Sequence, residues 1–404
     1  MKFAVPLTVA GLILLCSARA SAQDPQSRAE QLREEREAKQ KVLAPPTLSP
    51  LQSAMLVADT RVVPILQRDG LYAKLGSLTT SSGFAYGLGY RDRALVDGQG
   101  GLDLWAAGSI KGYWALNAQG SYPLRPGGAF SVHGSAKRQS YPEEEYFGLG
   151  PDSKREAFGA YAFNNTSVSG GLHGRFSSVV RAGGDVEYLR PRVGPGESDE
   201  HPPIDILFPP IEREGFEIRT SFVRTAAFAS IDYRQPLNAR KGGYYRVDVN
   251  RYDDQSGDAY SFTRVEMDLR QYVSFLAERR VLVGRAWVST SETDDLATVP
   301  FYMMPSLGGN STLRGFRANR FRAPHAMLLQ AEYRWEIWSG LEAALFYDTG
   351  KVAMERKHLD FHDLEKDYGF GFRFNTDQGI IFRVDAAFGS RDGKQLHIVF
   401  GGLF

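Results

Sequence analysis

Arg314 is the residue best equipped to make one strong, fixed contact. It lies in Leu307-Gly-Gly-Asn-Ser-Thr-Leu-Arg-Gly-Phe-Arg-Ala-Asn-Arg-Phe-Arg322, within a connection of about 30 residues that must be either mobile or tucked against the body of the protein. A guanidinium offers five donors in a planar fork, and Gly315 beside it lets backbone come close to a wall. Two carboxylates follow on the next segments, Glu332 in Gln330-Ala-Glu-Tyr-Arg334 and Asp348 in Phe346-Tyr-Asp-Thr-Gly-Lys-Val352. Other candidates carry less. His358 and His362 are four apart in Lys357-His-Leu-Asp-Phe-His-Asp363, a spacing that shares a face on a helix and could hold a metal. Their polar surroundings make a solvated surface the expected reading. Asp248, Glu266, Asp268, Arg270 and Arg334 could form a catalytic cluster or a paired network, and the second fits the need of buried charges for partners. No Gly-x-Ser-x-Gly elbow, phosphate-binding loop or His-Glu-x-x-His pair occurs. The expectation is a protein that is not an enzyme, with no catalytic residue, cofactor or metal.

Strands must position these groups. Tyr245, Val247 and Val249 alternate with Arg246, Asp248 and Asn250. Leu329, Ala331, Tyr333, Trp335 and Ile337 alternate with Gln330, Glu332, Arg334 and Glu336. Tyr368, Phe370, Phe372 and Phe374 alternate with Gly369, Gly371 and Arg373. A period of two is the signature of a strand, and it gives Glu332 and Asp348 the same parity, away from the apolar face. The apolar faces are rich in aromatics, and the opposite faces carry both signs of charge. A soluble sandwich would show a similar apolar face, but not so many mixed charges opposite it; a membrane barrel with a polar lumen accounts for both. Strands are expected near 83–92, 101–109, 112–123, 129–140, 161–175, 180–192, 220–234, 243–252, 260–273, 280–292, 324–337, 341–349, 367–375, 379–389 and 393–404, with one more within 61–79. The fold class is therefore all-β, a transmembrane antiparallel barrel of about 16 strands. Short connections alternate with long ones (141–160, 193–219, 293–323, 350–366), as periplasmic turns alternate with outer loops in barrels.

The ends agree. Gln395-Leu-His-Ile-Val-Phe-Gly-Gly-Leu-Phe404 places Leu396, Ile398, Phe400, Gly402 and Phe404 on one face, and an apolar strand closing on Phe is how outer-membrane barrels end. Residues 1–22 read as a secretory signal, with Lys2, a short apolar core and Ala20-Ser21-Ala22 for cleavage. Cys16, the one cysteine, would leave with it, and bulky Leu15 does not suit a lipid-attachment box. Residues 23–70 are expected to form a helix-prone or disordered periplasmic segment, and 71–404 the barrel. Glu35 with Lys39 and Glu37 with Lys41 are spaced for helical ion pairs. Net charge is +1, which argues against nucleic acid as a partner.

Leu313-Arg314-Gly315-Phe316 resembles the signature of the sixth outer loop in the Omp85 superfamily, the BamA/TamA-like bacterial surface antigen barrels. The motif falls between the fifth and sixth expected strands from the C-terminus. The Glu332 and Asp348 segments, and Tyr146-Phe-Gly-Leu-Gly-Pro151, are similar to that family as well. The resemblance covers roughly 72–404. It implies a loop pinned inside the barrel by Arg314 bonding Asp348, with Glu332 close. It also implies a weak seam between first and last strands, which Gly401-Gly402 would suit. The segment before the barrel lacks the pattern of a POTRA domain, so a short member without POTRA domains is expected. The implied function is insertion or assembly of membrane proteins, or translocation across the outer membrane. A passive pore and a surface-exposed adhesive antigen are the alternatives. Expected partners are outer-membrane lipid and lipopolysaccharide, client outer-membrane or secreted proteins, and a separate periplasmic partner.

Overall fold

The computed structural model of the chain describes residues 69–404, apart from 199–200, 235–238, 295, 339, 377–378 and 401–404, together with Ser53 and Val57. The signal and almost all of the N-terminal segment expected above lie outside the described residues. Sixteen strands form one antiparallel sheet in which each pairs with its sequence neighbours. They are β1 (Gly70–Gly76), β2 (Ala85–Ala94), β3 (Gly100–Ser109), β4 (Trp114–Pro123), β5 (Phe130–Tyr146), β6 (Gly159–Arg175), β7 (Val180–Pro195) and β8 (Phe222–Asp232). Then follow β9 (Gly242–Asp254), β10 (Phe262–Phe275), β11 (Arg280–Thr293), β12 (His325–Trp338), β13 (Leu341–Ala353), β14 (Glu365–Thr376), β15 (Gly379–Gly389) and β16 (Gly393–Phe400). The sheet curls into a nearly closed barrel whose two ends, β1 and β16, lie in contact. These are its shortest strands, at 7 and 8 residues, whereas β5 and β6 have 17 each.

Alternation sets which side faces out. Leu88, Leu116, Val168, Leu282, Tyr368 and Leu396 are exposed on the outer face. Water would penalise such a continuous apolar surface, and hydrocarbon would not. Among the described residues no helix is long and apolar enough to cross a membrane.

The strands extend further than alternation alone suggests. β5 continues to Tyr146, beyond the expected end at 140, because Pro142 is taken up in a register shift between Tyr141 and Glu144. The connection to β6 shrinks to 147–158. β13 likewise runs on to Ala353.

The two ends of the lumen differ. At the long-loop end, Tyr146, Tyr161, Ile204, Phe208, Phe216 and Phe301 pack into one apolar cluster that joins strand ends to the 196–221 and 294–324 loops. At the short-turn end the interior is hollow. Cavities of about 460 and 520 Å³ lie against β2–β9, bordered by Arg91, Asp103, His133, His173, Asp185 and Arg246.

Candidate functional site

The 294–324 loop turns inward. A two-residue ribbon pairs Ser306 with Arg322 and Leu307 with Phe321, and brackets the turn that carries Arg314. Within it Phe316 N–H donates to the Leu313 carbonyl at 3.1 Å, and Gly309 N–H to the Phe316 carbonyl at 3.0 Å. Leu313 and Phe316 therefore point the same way. They enter a fully buried cluster with Leu307, Phe321, Leu328 and Val352, the last two from the lumenal faces of β12 and β13. The apolar flanks seat the loop, and Arg314 between them is left facing a polar wall.

That wall is built by β12–β15. Arg314 is completely buried. Its Nε and Nη2 donate to Asp348 at 2.7 and 2.8 Å in a two-pronged contact, and Nη1 donates to Glu332 at 2.8 Å. Its guanidinium stacks 3.6 Å above the ring centre of Phe346, one inward position before Asp348. Gly369, opposite Phe346 in the register, leaves room for that ring: a Cβ there would fall 2.3 Å from Phe346 Cζ. Gly315 is pressed on the wall so closely that a Cβ would lie 2.5 Å from both Asp367 Cβ and Gly389 N. Burial by itself would lower the pKa of the loop guanidinium. The carboxylates of Asp348, Glu332 and Asp385 outweigh it and hold Arg314 well above the ordinary arginine value.

A ring of further charges closes around this contact. Arg373 donates to Glu332 at 2.9 Å and also bonds Asp385. Arg334 reaches Glu332 at 2.6 Å, and Arg383 reaches Asp385 at 2.7 Å and the carbonyl of Asn310 in the loop. His397 on β16 donates Nε2–H to the Arg314 carbonyl at 2.7 Å. Glu332 and Asp385 each lie within 4 Å of three arginines, and Asp348 takes both prongs of one, which is how these charges can be held out of water. The arrangement offers no nucleophile and no proton-transfer pair facing open space. What it can do is fix a loop inside a barrel.

The other residues singled out by sequence fall as follows. Leu396 and Ile398 are exposed on the outer face of β16. Phe400 ends that strand, and Gly401, Gly402 and Phe404 lie outside the described residues. Asp248 pairs with Arg246, Asp268 with Arg270 and Arg285, and Arg334 with Glu332. His358 lies in a single 3-10 turn, and His362 pairs with Asp360 beyond it. Among the described residues no three His, Cys, Asp or Glu are placed to hold a metal ion. Sequence reasoning did not assign roles to Arg373, Arg383, Asp385 or His397. The available signal was their lumenal parity on strands whose other face is aromatic.

Residues 212–402, from the outer loop before β8 to the end of the barrel, match the Omp85 superfamily domain. Solved structures similar to the chain include BamA from Haemophilus ducreyi lacking POTRA domains 1–3, at 14% identity and a TM-score of 0.62, covering 82% of this chain and 70% of that one. CdiB from Escherichia coli matches at 13% identity and a TM-score of 0.54, over 83% of this chain and 64% of that one. CdiB from Acinetobacter baumannii matches at 13% identity and a TM-score of 0.50, over 82% of this chain and 59% of that one. At these identities the likeness is one of fold. The chain spans less than two thirds of either CdiB structure. No curated protein matches the chain.

Proposed function

We propose, from the match of residues 212–402 to the Omp85 superfamily domain, that this chain is an integral outer-membrane protein that inserts, assembles or translocates client proteins. The observation that carries the reading is the buried contact of Arg314 with Asp348 and Glu332. It spends a long loop on filling the lumen and not on reaching a surface ligand. An open pore would keep that space for water. The apolar packing of the 196–221 and 294–324 loops over the long-loop end speaks against a standing channel in the same way. The short strands β1 and β16 supply a seam with few backbone bonds to break, where a client strand could approach. The clients in this reading are outer-membrane or secreted proteins. Membrane lipid and lipopolysaccharide surround the barrel, and a separate periplasmic partner delivers clients to it.

The test uses the purified full-length protein in liposomes. The folding rate of a small client barrel is compared with that in empty liposomes and in liposomes carrying Arg314→Ala. Acceleration that the variant loses supports the proposal. No acceleration, together with a steady ion current, overturns it in favour of a passive pore.

A further inference from the structure

The loop that carries Arg314 holds a second buried arginine with partners of its own. Arg320 is 2% exposed. Its Nε lies 3.0 Å from Asp392 Oδ2, its Nη1 donates to Ser153 Oγ at 2.7 Å, and its Nη2 donates to the Ser153 carbonyl at 2.8 Å. Asp392 is itself buried and closes the 390–392 turn, one residue before β16 begins at Gly393. Ser153 belongs to the 147–158 connection. One side chain therefore joins three connections at the long-loop mouth. Arg391, from the same turn as Asp392, adds a bond to the Pro151 carbonyl at 3.1 Å.

The loop meets the last strand a second time lower in the lumen, where His397 donates to the Arg314 carbonyl. It also reaches the first hairpin. A Cβ on Gly309 would come within 2.7 Å of Thr80 Cγ2. Asn310 borders a cavity of about 430 Å³ that has Gly76 and Thr80 on one side and Leu396 and His397 on the other. The loop thus lies across the junction of β1 and β16 and grips the β16 side through a buried charge pair.

We propose that Arg320 and Asp392 are a positioning pair that sets how firmly β16 is held at the seam, a role separate from the Arg314 contact with β12 and β13. Arg314 fixes where the loop sits. Arg320 fixes the last strand to the loop. A buried pair suits this task because the loss of either member strands a charge away from water, so the two stay together or the turn moves. The fork of Arg320 also sets direction, since it spends its remaining donors on Ser153. The consequence for clients rests on the function proposed above; the mechanical role does not.

Amide hydrogen exchange on the full-length protein in liposomes tests this role, with residues 341–353 of β13 as the internal reference for 393–400 of β16. Arg320→Ala is expected to speed exchange across 393–400 by about tenfold or more relative to 341–353, since local opening reports the strength of local anchoring. Arg320→Lys keeps the charge without the fork and should fall between wild type and Arg320→Ala. Unchanged exchange at 393–400, or an equal rise in both segments, would overturn the proposal. If Arg320→Ala does not fold, Asp392→Asn, close to isosteric and leaving the Ser153 bonds in place, reads the same ratio. The ratio needs no client, so it decides the clasp whether or not the liposome assay shows insertion.

Discussion

The lumen wall made by β12–β15 and the wall made by β2–β7 carry the same kinds of side chain, but hold them in different surroundings. At the first, Asp348 and Asp385 and the Arg314 side chain that the loop lays against them are 0% exposed, and Glu332 and Arg373 are nearly so. On the second, Arg91 and Asp103 pair at 2.7 Å with side chains 23% and 16% exposed, and His173 faces Asp185 at 3.0 Å with 30% and 23% exposed. The pairing distances are alike. The difference is that a loop covers one wall and a cavity of about 460 Å³ borders the other. An ion pair in contact with water can exchange its partner for solvent at little cost, and a covered one cannot. Similar charges therefore fix structure on one side and line an open cavity on the other.

The largest effect should come from breaking the covered wall. Arg314→Ala leaves Asp348 and Glu332 short of a partner in a dry site and should cost about 3–5 kcal/mol. Urea unfolding of the lipid-embedded protein measures it, and a loss under about 1 kcal/mol would mean that water enters the site freely. Next comes Gly315→Ala. Its Cβ would overlap Gly389 N and Asp367 Cβ, both too constrained to move aside, so the loop must lift at a cost of about 1–3 kcal/mol. Proteolysis within 294–324 should then appear where the wild type resists, and continued resistance would show that the wall yields instead.

The exposed wall should respond far less. Asp103→Asn is expected to change stability by about 0–1 kcal/mol in the same urea experiment. A loss matching that of Arg314→Ala would erase the contrast between the walls. The smallest effect sharpens it. At about 1 M salt, where screening acts within about 3 Å, the small deficit of Asp103→Asn should vanish while that of Arg314→Ala persists. Equal salt sensitivity of the two variants would place both pairs in contact with solvent.

Much of the barrel was legible because its signal is local. Alternation through Tyr245–Asn250 or Tyr368–Phe374 fixes strand and facing within a few residues, whatever the rest of the chain does. It failed near Pro142, where a bulge carries the strand past a residue that usually ends one. At the site, alternation put Glu332 and Asp348 on the lumenal face but left Arg373, Arg383 and Asp385 unassigned. An inward charge on a strand looks the same whether it meets water or a guanidinium.

The sequence by itself determined the all-β class, about sixteen strands, the facing of side chains along the regular strands and the identity of the loop with the planar cation, since these follow from residue type and a period of two. Only the tertiary structure decided that the loop folds inward and that Arg373 and Arg383 complete the ring. It also decided that Arg320 reaches Asp392, 72 residues away in sequence, and that His397, 83 residues away, meets Arg314. The physical reason is desolvation. Pairing among distant charges becomes specific only where the fold has removed water as a competitor, and no local pattern records where that happens.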